Sequence, residues 1–445
     1  MGHAANSDMY AVPVGRDRLV VSPLRGVAIL ANAEVVERIR RGGPGVAEVV
    51  ETALLAKPAP EPPARRSGPV DPLFVGLIPT RGCNLSCAYC DFGADGADAG
   101  EAMDPVIAVR AVDWAIHCAK GMGRDGFEIH FFGGEPFCAP EAVEAAVHRA
   151  RVAGGRESLV PRLQATTNGA YGEGWAEFAG DYLDGVVLSL DGDRDVHDLH
   201  RSNSHAAAWR TAKILSRSRT DFCVRMCVSQ KSVHRLPEMA GTIARDLAPR
   251  VLDVEALVRN ERAARAGLLP PDPFLFATNA WLALGAARRM GVEAVVASAD
   301  VRHPRASFCP VGQDALIVRP GGAVSGCYLP PEQWRARGMD MDVGWMTPGG
   351  IHLVMAALEA QRSLPLDKPR CGRCFCRHTC AGGCHVNQTF PGCGTGYTDF
   401  CLRTRVLSAC EYLSAMGMAD AARALVEDRG AMEALANNPD DRIGE

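Results

Sequence analysis

Cys83, Cys87 and Cys90 stand together in the run Arg81-Gly82-Cys83-Asn84-Leu85-Ser86-Cys87-Ala88-Tyr89-Cys90. This C-x3-C-x2-C spacing offers three thiolates. A [4Fe-4S] cube held by three cysteines keeps one iron free of protein, so it can do chemistry as well as carry electrons. Taken alone, the triplet also fits three buried structural cysteines or part of a zinc site. A second group fills the C-terminal third, where Cys371-x2-Cys374-x5-Cys380-x3-Cys384 is followed by Cys401 and preceded by Cys309 and Cys327. Paired C-x2-C thiolates also suit tetrahedral zinc, the alternative for this group. Disulfides fit poorly, because the sequence shows no secretory signal and a chain of this size needs no such staples.

The elements around the first triplet are readable. Leu73 to Ile78 is an apolar run of strand length, so the cysteines fall on the loop leaving a strand's C-terminal end, where barrel folds place active sites. Phe127 to Phe132 reads as a second strand and runs into Gly133-Gly134-Glu135-Pro136, whose glycines permit close approach of a backbone carbonyl to a ligand. Gly-Gly before a helix is also ordinary turn chemistry. Leu163 to Gly169 reads as a short strand and turn ending in Thr167 and Asn168, and Val186 to Gly192 as a strand ending in Ser189 and Asp191. Arg225 lies inside the apolar run Phe222 to Val228, where a charge requires a partner, either a ligand or a structural ion pair. Helical segments such as Pro105 to Cys118 and Pro140 to Val152 alternate with these strands, as in parallel βα units.

In this order and spacing the residues resemble the radical S-adenosylmethionine (SAM) superfamily. The resemblance implies a partial (β/α)6 TIM-like barrel, hence an α/β fold, with Cys83, Cys87 and Cys90 on a [4Fe-4S] cluster whose free iron chelates SAM. It implies SAM contacts from Tyr89, from Gly133, Gly134, Glu135 and Pro136 as the GGEP motif, and from Thr167 and Asn168 as the TNG element. Ser189 and Asp191 would be the S-x-D pair, and Arg225 a partner for the SAM carboxylate. Val196-His197-Asp198-x-x-Arg201 is similar to the extension of peptide-modifying members. The C-terminal cysteines, with Gly322 before Cys327, are similar to the seven-cysteine pattern of the SPASM extension. That pattern implies two auxiliary [4Fe-4S] clusters, a distal one on Cys371, Cys374, Cys380 and Cys401 and a nearer one on Cys309, Cys327 and Cys384. The nearer set lacks a fourth thiolate. Sulfatase-maturating relatives supply a cysteine where this chain has His303, and an open iron there could receive a substrate group. Cys376, Cys393 and Cys410 lie outside the pattern, and Cys376 or Cys393 could replace a ligand. Cys118, Cys138, Cys223 and Cys227 read as core.

The bulk numbers fit an enzyme of several domains. The chain has 445 residues, 47% hydrophobic content, 17 cysteines and a formal net charge of −4. No apolar stretch is long enough for a bilayer, and no basic block points to nucleic acid. A cytoplasmic, reducing location is expected. The expected division is a small N-terminal strand and helix module over 1–56, a proline-rich linker over 57–70, the radical SAM partial barrel over 71–300, the SPASM domain over 301–410 and a helical tail over 411–445. In the module, strands are expected at Tyr10 to Val14, Leu19 to Ser22 and Gly26 to Ala31, with helices near Glu34 to Arg40 and Val46 to Leu55. It resembles small domains that capture a leader peptide by strand addition, or else it is a packing extension. Asp272 to Met290 is expected to be a helix bridging to the cluster domain.

The resemblance implies hydrogen abstraction from a peptide side chain, with SAM and three [4Fe-4S] clusters as cofactors. A precursor peptide or protein would be the substrate and a flavodoxin- or ferredoxin-type protein the electron donor. Candidate proton acceptors are Asp198, Glu135 and Tyr328. Sulfatase maturases have an aspartate where this chain has Tyr328, and a phenol is a poor resting base, which counts against formylglycine formation. The expected function is oxidative crosslinking of a ribosomally made peptide through a thioether, C–C or C–O bond. Maturation of a protein partner, such as a sulfatase or quinohemoprotein amine dehydrogenase, is the second reading. A non-catalytic metal-binding peptide scaffold is a third.

Overall fold

The computed structural model describes residues 8–41, 61–92, 100–364, 370–388, 397–439 and 441–443. The expected helix over Val46 to Leu55 and the thiol of Cys393 lie outside these residues.

Sequential strand order defines the main sheet. Strands β4 (Val75–Leu77), β5 (Gly126–Phe131), β6 (Val160–Thr167), β7 (Gly185–Ser189), β8 (Asp221–Val228), β9 (Val251–Ala256) and β10 (Glu293–Val295) pair in parallel, each with the next. On the far side of β4, β11 (Leu316–Val318) joins in parallel. The antiparallel strands β12 (Ala323–Ser325), β13 (Asp342–Thr347) and β14 (Gly350–Leu353) then extend the sheet to eleven strands. The sheet is open, with β10 and β14 at its ends. The segment after residue 300 therefore continues the sheet that carries the first cysteine loop.

Parallel sheets are usually buried on both faces, but here burial alternates along β5 to β8. One face, carrying Ile129, Leu163, Val186, Leu188, Val224 and Leu252, shares a core with the alanine- and valine-rich faces of helices such as Pro105–Gly121 and Pro140–Arg156. Asp104 caps the first of these helices by accepting from Val106 N at 2.8 Å, and Pro105 occupies its first turn. The other face is mostly polar. It carries His130, Gln164, Thr166, Ser189, Arg225, Asp253 and Glu255.

The N-terminal module is an antiparallel sheet of β1 (Tyr10–Val14), β2 (Asp17–Ser22) and β3 (Val27–Ala31), followed by the helix Ala33–Arg41. Tyr10, Val12, Leu19 and Val21 enter the main core, while Ala11, Val20 and Ala31 pack on Val36 and Ile39 of the helix. The outer edge of β1 is already paired. Ala11 N donates to Asp441 O at 2.5 Å, and Ile443 N donates to Met9 O at 2.9 Å. The bridging helix runs Pro273–Arg289 and packs against the helix Asp399–Ala415, which continues through the expected boundary at 410.

Candidate active site

The cysteine loop leaves β4 and is fixed from three sides. From β5, Gly134 N donates to Thr80 O at 3.0 Å and Glu135 N to Gly82 O at 2.9 Å. These contacts give the Gly-Gly pair a physical reason. A Cβ on Gly133 would sit 2.6 Å from Thr80 O, and one on Gly134 would sit 2.1 Å from Gly82 O. The close approach that requires glycine is thus to the cysteine loop itself. Pro136 opens the short 3-10 turn that follows.

Glu135 is buried at 1% exposure and fastens β5 to the end of β6. Its Oε1 accepts from Thr167 Oγ1 at 2.7 Å and its Oε2 from Asn168 N at 2.8 Å. Burial pushes its carboxyl up to about 7, against the pull of these hydrogen bonds. Asn168 completes the link by donating its amide to Cys83 Sγ at 3.5 Å and to Asn84 Oδ1 at 3.0 Å. Leu85 N also points at Cys83 Sγ, at 3.4 Å.

The third side is a buried polar knot around Asp191. Its carboxylate accepts from Tyr89 Oη at 2.7 Å, Arg201 Nε at 2.9 Å and Cys227 N at 3.0 Å, and His200 Nδ1 lies 3.2 Å away. Burial alone would raise the Asp191 carboxyl, but the Arg201 cation and the His200 ring hold it well below the carboxylate range. His197 Nδ1 accepts from Asp191 N at 3.2 Å, and its Nε2 lies 3.0 Å from Ser204 Oγ. The sequence marked Tyr89, Asp191 and Arg201 separately, and the fold joins them. Asp198 stands apart, accepting from His205 N at 2.8 Å.

Ser189, Arg225 and Asp253 are register partners across β7, β8 and β9 on the polar face. Arg225 Nε donates to Asp253 Oδ2 at 2.8 Å with the guanidinium half exposed, so the structural ion pair weighed from sequence is present. Asp253 and Glu255 were not singled out in the sequence. Burial, with Asp253 nearby, pushes the Glu255 carboxyl up to about 7.

The C-terminal thiols form two groups. Cys309, Cys327 and Cys384 border the same apolar patch of Val311, Trp334, Met341 and Val386. Burial raises both Cys309 and Cys327 to about 12, and their neighbouring thiols add to the rise. His303 is 70% exposed and turns to Asp300 Oδ2 at 2.8 Å. Cys371, Cys374, Cys376, Cys380 and Cys401 line one recess with Tyr397, Phe400 and Arg405. A hydrogen bond from Cys376 and the Arg405 cation hold Cys374 below the ordinary thiol value despite burial.

Tyr328, next to Cys327, connects the nearer thiol group to the polar face. Its hydroxyl approaches Gly76 so closely that a Cβ there would lie 2.7 Å from it. Its ring sits 4.7 Å from Phe132 after β5, which in turn lies 5.2 Å from Phe92 beyond Cys90. Burial pushes the phenol well above its ordinary value.

The thiols suit iron-sulfur cubes in kind. Cys83, Cys87 and Cys90 lie close enough to influence one another electrostatically, and burial raises Cys83 to about 11. Buried thiols need a cationic partner to become thiolates, which an iron cluster supplies. Among the described residues, no three of His, Cys, Asp and Glu converge as one chelated ion requires.

Residues 77–231 match the family model of the Radical SAM superfamily. No curated protein sequence matches the chain. Several solved structures share the fold. anSMEcpe, an anaerobic sulfatase-maturating enzyme with bound AdoMet, aligns at TM-score 0.61 and 17% identity, covering 79% of this chain and 99% of its own. The same figures hold for anSMEcpe with AdoMet and the Kp18Cys peptide. Streptococcus suis SuiB bound to precursor peptide SuiA aligns at TM-score 0.51 and 12% identity, covering 86% of this chain and 95% of its own.

Proposed function

We propose, from the match of residues 77–231 to the Radical SAM superfamily, that the protein is a radical SAM peptide maturase that oxidatively installs a crosslink in a ribosomally made precursor. The observation that carries this reading is the placement of Tyr328. It extends from the loop of Cys327 onto the sheet face that also carries Ser189 and Arg225. A substrate side chain held over that face would lie between the two cysteine groups. That structures of the same fold hold a Kp18Cys peptide or a precursor peptide supports a peptide as the substrate class.

In this reading Cys83, Cys87 and Cys90 hold the first cluster. Gly133 to Pro136, Thr167, Asn168, Ser189 and Arg225 border SAM, and Tyr89 and Asp191 keep the loop in place. Cys309, Cys327 and Cys384 would hold the nearer auxiliary cluster, and Cys371, Cys374, Cys380 and Cys401 the distal one. When bound, the cluster and SAM supply a 5′-deoxyadenosyl radical that abstracts hydrogen from an unactivated carbon. The chain's task is to exclude water and hold that carbon in reach. Tyr328, in an aromatic wall with Phe92 and Phe132, lines the face, and its hydroxyl, kept neutral by burial, would orient a substrate side chain by a hydrogen bond rather than take its proton. The paired edge of β1 leaves β3 as the side of the N-terminal sheet for a leader strand. A flavodoxin- or ferredoxin-type protein would deliver the electron.

Maturation of a protein partner is the second reading, and Tyr328 in place of a carboxylate weighs against the formylglycine version of it. A metal-binding scaffold without activity is separated by one assay. Anaerobically purified protein, given dithionite, SAM and a candidate precursor peptide, is expected to release 5′-deoxyadenosine and a peptide lighter by two hydrogens. A scaffold releases neither. The native chain should carry about twelve irons and the Cys83→Ala, Cys87→Ala, Cys90→Ala variant about eight. Fewer native irons with stoichiometric zinc would overturn the cluster assignment.

A further inference from the structure

Arg405 is 1% exposed, far inside the C-terminal region. Its guanidinium grips Asp441, which is 0% exposed, by Nη1 to Oδ2 at 2.6 Å and Nη2 to Oδ1 at 2.9 Å. Nη2 also donates to Leu435 O at 3.0 Å. From this clamp, Nη1 reaches Cys374 Sγ at 3.1 Å and Tyr397 Oη at 3.0 Å. The guanidinium stacks over the Tyr397 ring, 4.3 Å from its centroid.

Asp441 is held in turn. It accepts from Phe375 N at 3.2 Å, one residue beyond Cys374, and its own N donates to Arg373 O at 3.2 Å. The same short segment pairs with β1. A buried Arg–Asp pair seldom repays its desolvation as stability alone. This one brings a fixed positive donor to a sulfur that lines the five-thiol recess.

We propose that Arg405, clamped by Asp441, is a positioning residue that donates a charged hydrogen bond to the Cys374 thiolate and so sets the reduction potential of the distal cluster. The inference rests on the reading of that recess as a [4Fe-4S] site. Donors and positive charge at cluster sulfurs favour the reduced, more negative state and raise the potential. The structure couples this setting to the chain's last described residues.

The test is an EPR-monitored redox titration of the anaerobically purified full chain in the Cys83→Ala, Cys87→Ala, Cys90→Ala background. The distal signal is identified as the one lost on adding Cys371→Ala. Arg405→Gln is expected to shift its reduction equilibrium at least tenfold toward the oxidised form, a midpoint about 59 mV lower for one electron. Arg405→Lys, which keeps the charge but not the fork, should fall between. Asp441→Asn keeps the shape of the clamp but removes the negative charge that offsets Arg405, so it should shift the equilibrium the opposite way, toward the reduced form, which decides the matter if Arg405→Gln fails to fold. Variants with full iron content and an unmoved midpoint would overturn the inference. Absence of distal irons from the unmodified chain would instead overturn the cluster reading on which it rests.

Discussion

Tyr89 donates its phenolic hydrogen to the buried carboxylate of Asp191 at 2.7 Å, joining the loop between Cys87 and Cys90 to the end of β7. The same carboxylate takes the Arg201 guanidinium, so the loop is held by a charged acceptor whose other bonds are already fixed. Tyr89→Phe removes one charge-assisted hydrogen bond and should cost about 1.5–3 kcal/mol. Urea denaturation measures that cost. Iron analysis should find the first cluster bound less completely than in the unmodified protein, and an unchanged midpoint with full iron would show that the bond does not position the loop.

Two glycine substitutions of the same kind should have opposite effects. Gly134→Ala puts a methyl 2.1 Å from Gly82 O and 2.4 Å from Arg81 O, against backbone that cannot rotate away. The cysteine loop must move, and about four irons should be lost. Gly155, in the helix Pro140–Arg156, has nothing within 4 Å of a built Cβ. Gly155→Ala should be neutral or stabilise by up to ~1 kcal/mol. Metal analysis and thermal melts of both variants decide the contrast.

The sequence exposed the parts that depend on local pattern. β5 and β8 were legible because apolar residues alternate over their whole length, and the cysteine spacings were legible because ligands recur at fixed intervals. Contacts between distant segments were not legible. Nothing near Arg225 in sequence announces Asp253, and nothing near Cys374 announces Asp441, since each partner arrives through sheet register or the return of the chain end. β11 is only three residues long, Leu316–Val318, too short for a periodic signal. Its parallel pairing with β4 is what carries the sheet past residue 300. The Gly-Gly pair is legible as a place of close approach, but its approach to the backbone of Thr80 to Gly82 is not, because those residues lie more than fifty positions away in the chain.

Acid sensitivity should trace partly to His197. Burial lowers its ring to about 4, against ~6.5 in an unfolded chain. Between those values the unfolded chain binds more protons, so the contribution of His197 is complete above about 6.5 and is lost as pH falls toward 4. The full difference corresponds to roughly 3 kcal/mol. Glu135, raised to about 7 by burial, has the opposite slope, since its contribution is present at low pH and lost as pH rises through 7. The two separate by subtraction. The stability advantage of the unmodified protein over His197→Asn should shrink between pH 7.5 and pH 5 in urea titrations. A constant difference would remove His197 from the account.

Tyr328 offers the sharpest division between packing and chemistry. Its ring packs 4.7 Å from Phe132 and 6.1 Å from Phe74, and Phe keeps both contacts. Tyr328→Phe should therefore change stability by less than ~1 kcal/mol, as volume-conserving swaps do, and leave iron content intact. If the neutral hydroxyl orients the substrate side chain by a hydrogen bond, crosslinked product should fall at least tenfold while 5′-deoxyadenosine continues to form, because cleavage of SAM does not need that hydroxyl. Asp198→Asn is the control, since its carboxylate is engaged by His205 N at 2.8 Å, and it should leave the ratio of product to 5′-deoxyadenosine unchanged. Product formation that survives Tyr328→Phe but fails in Asp198→Asn would remove Tyr328 from the chemistry and place the proton acceptor on the helix that begins at Arg194.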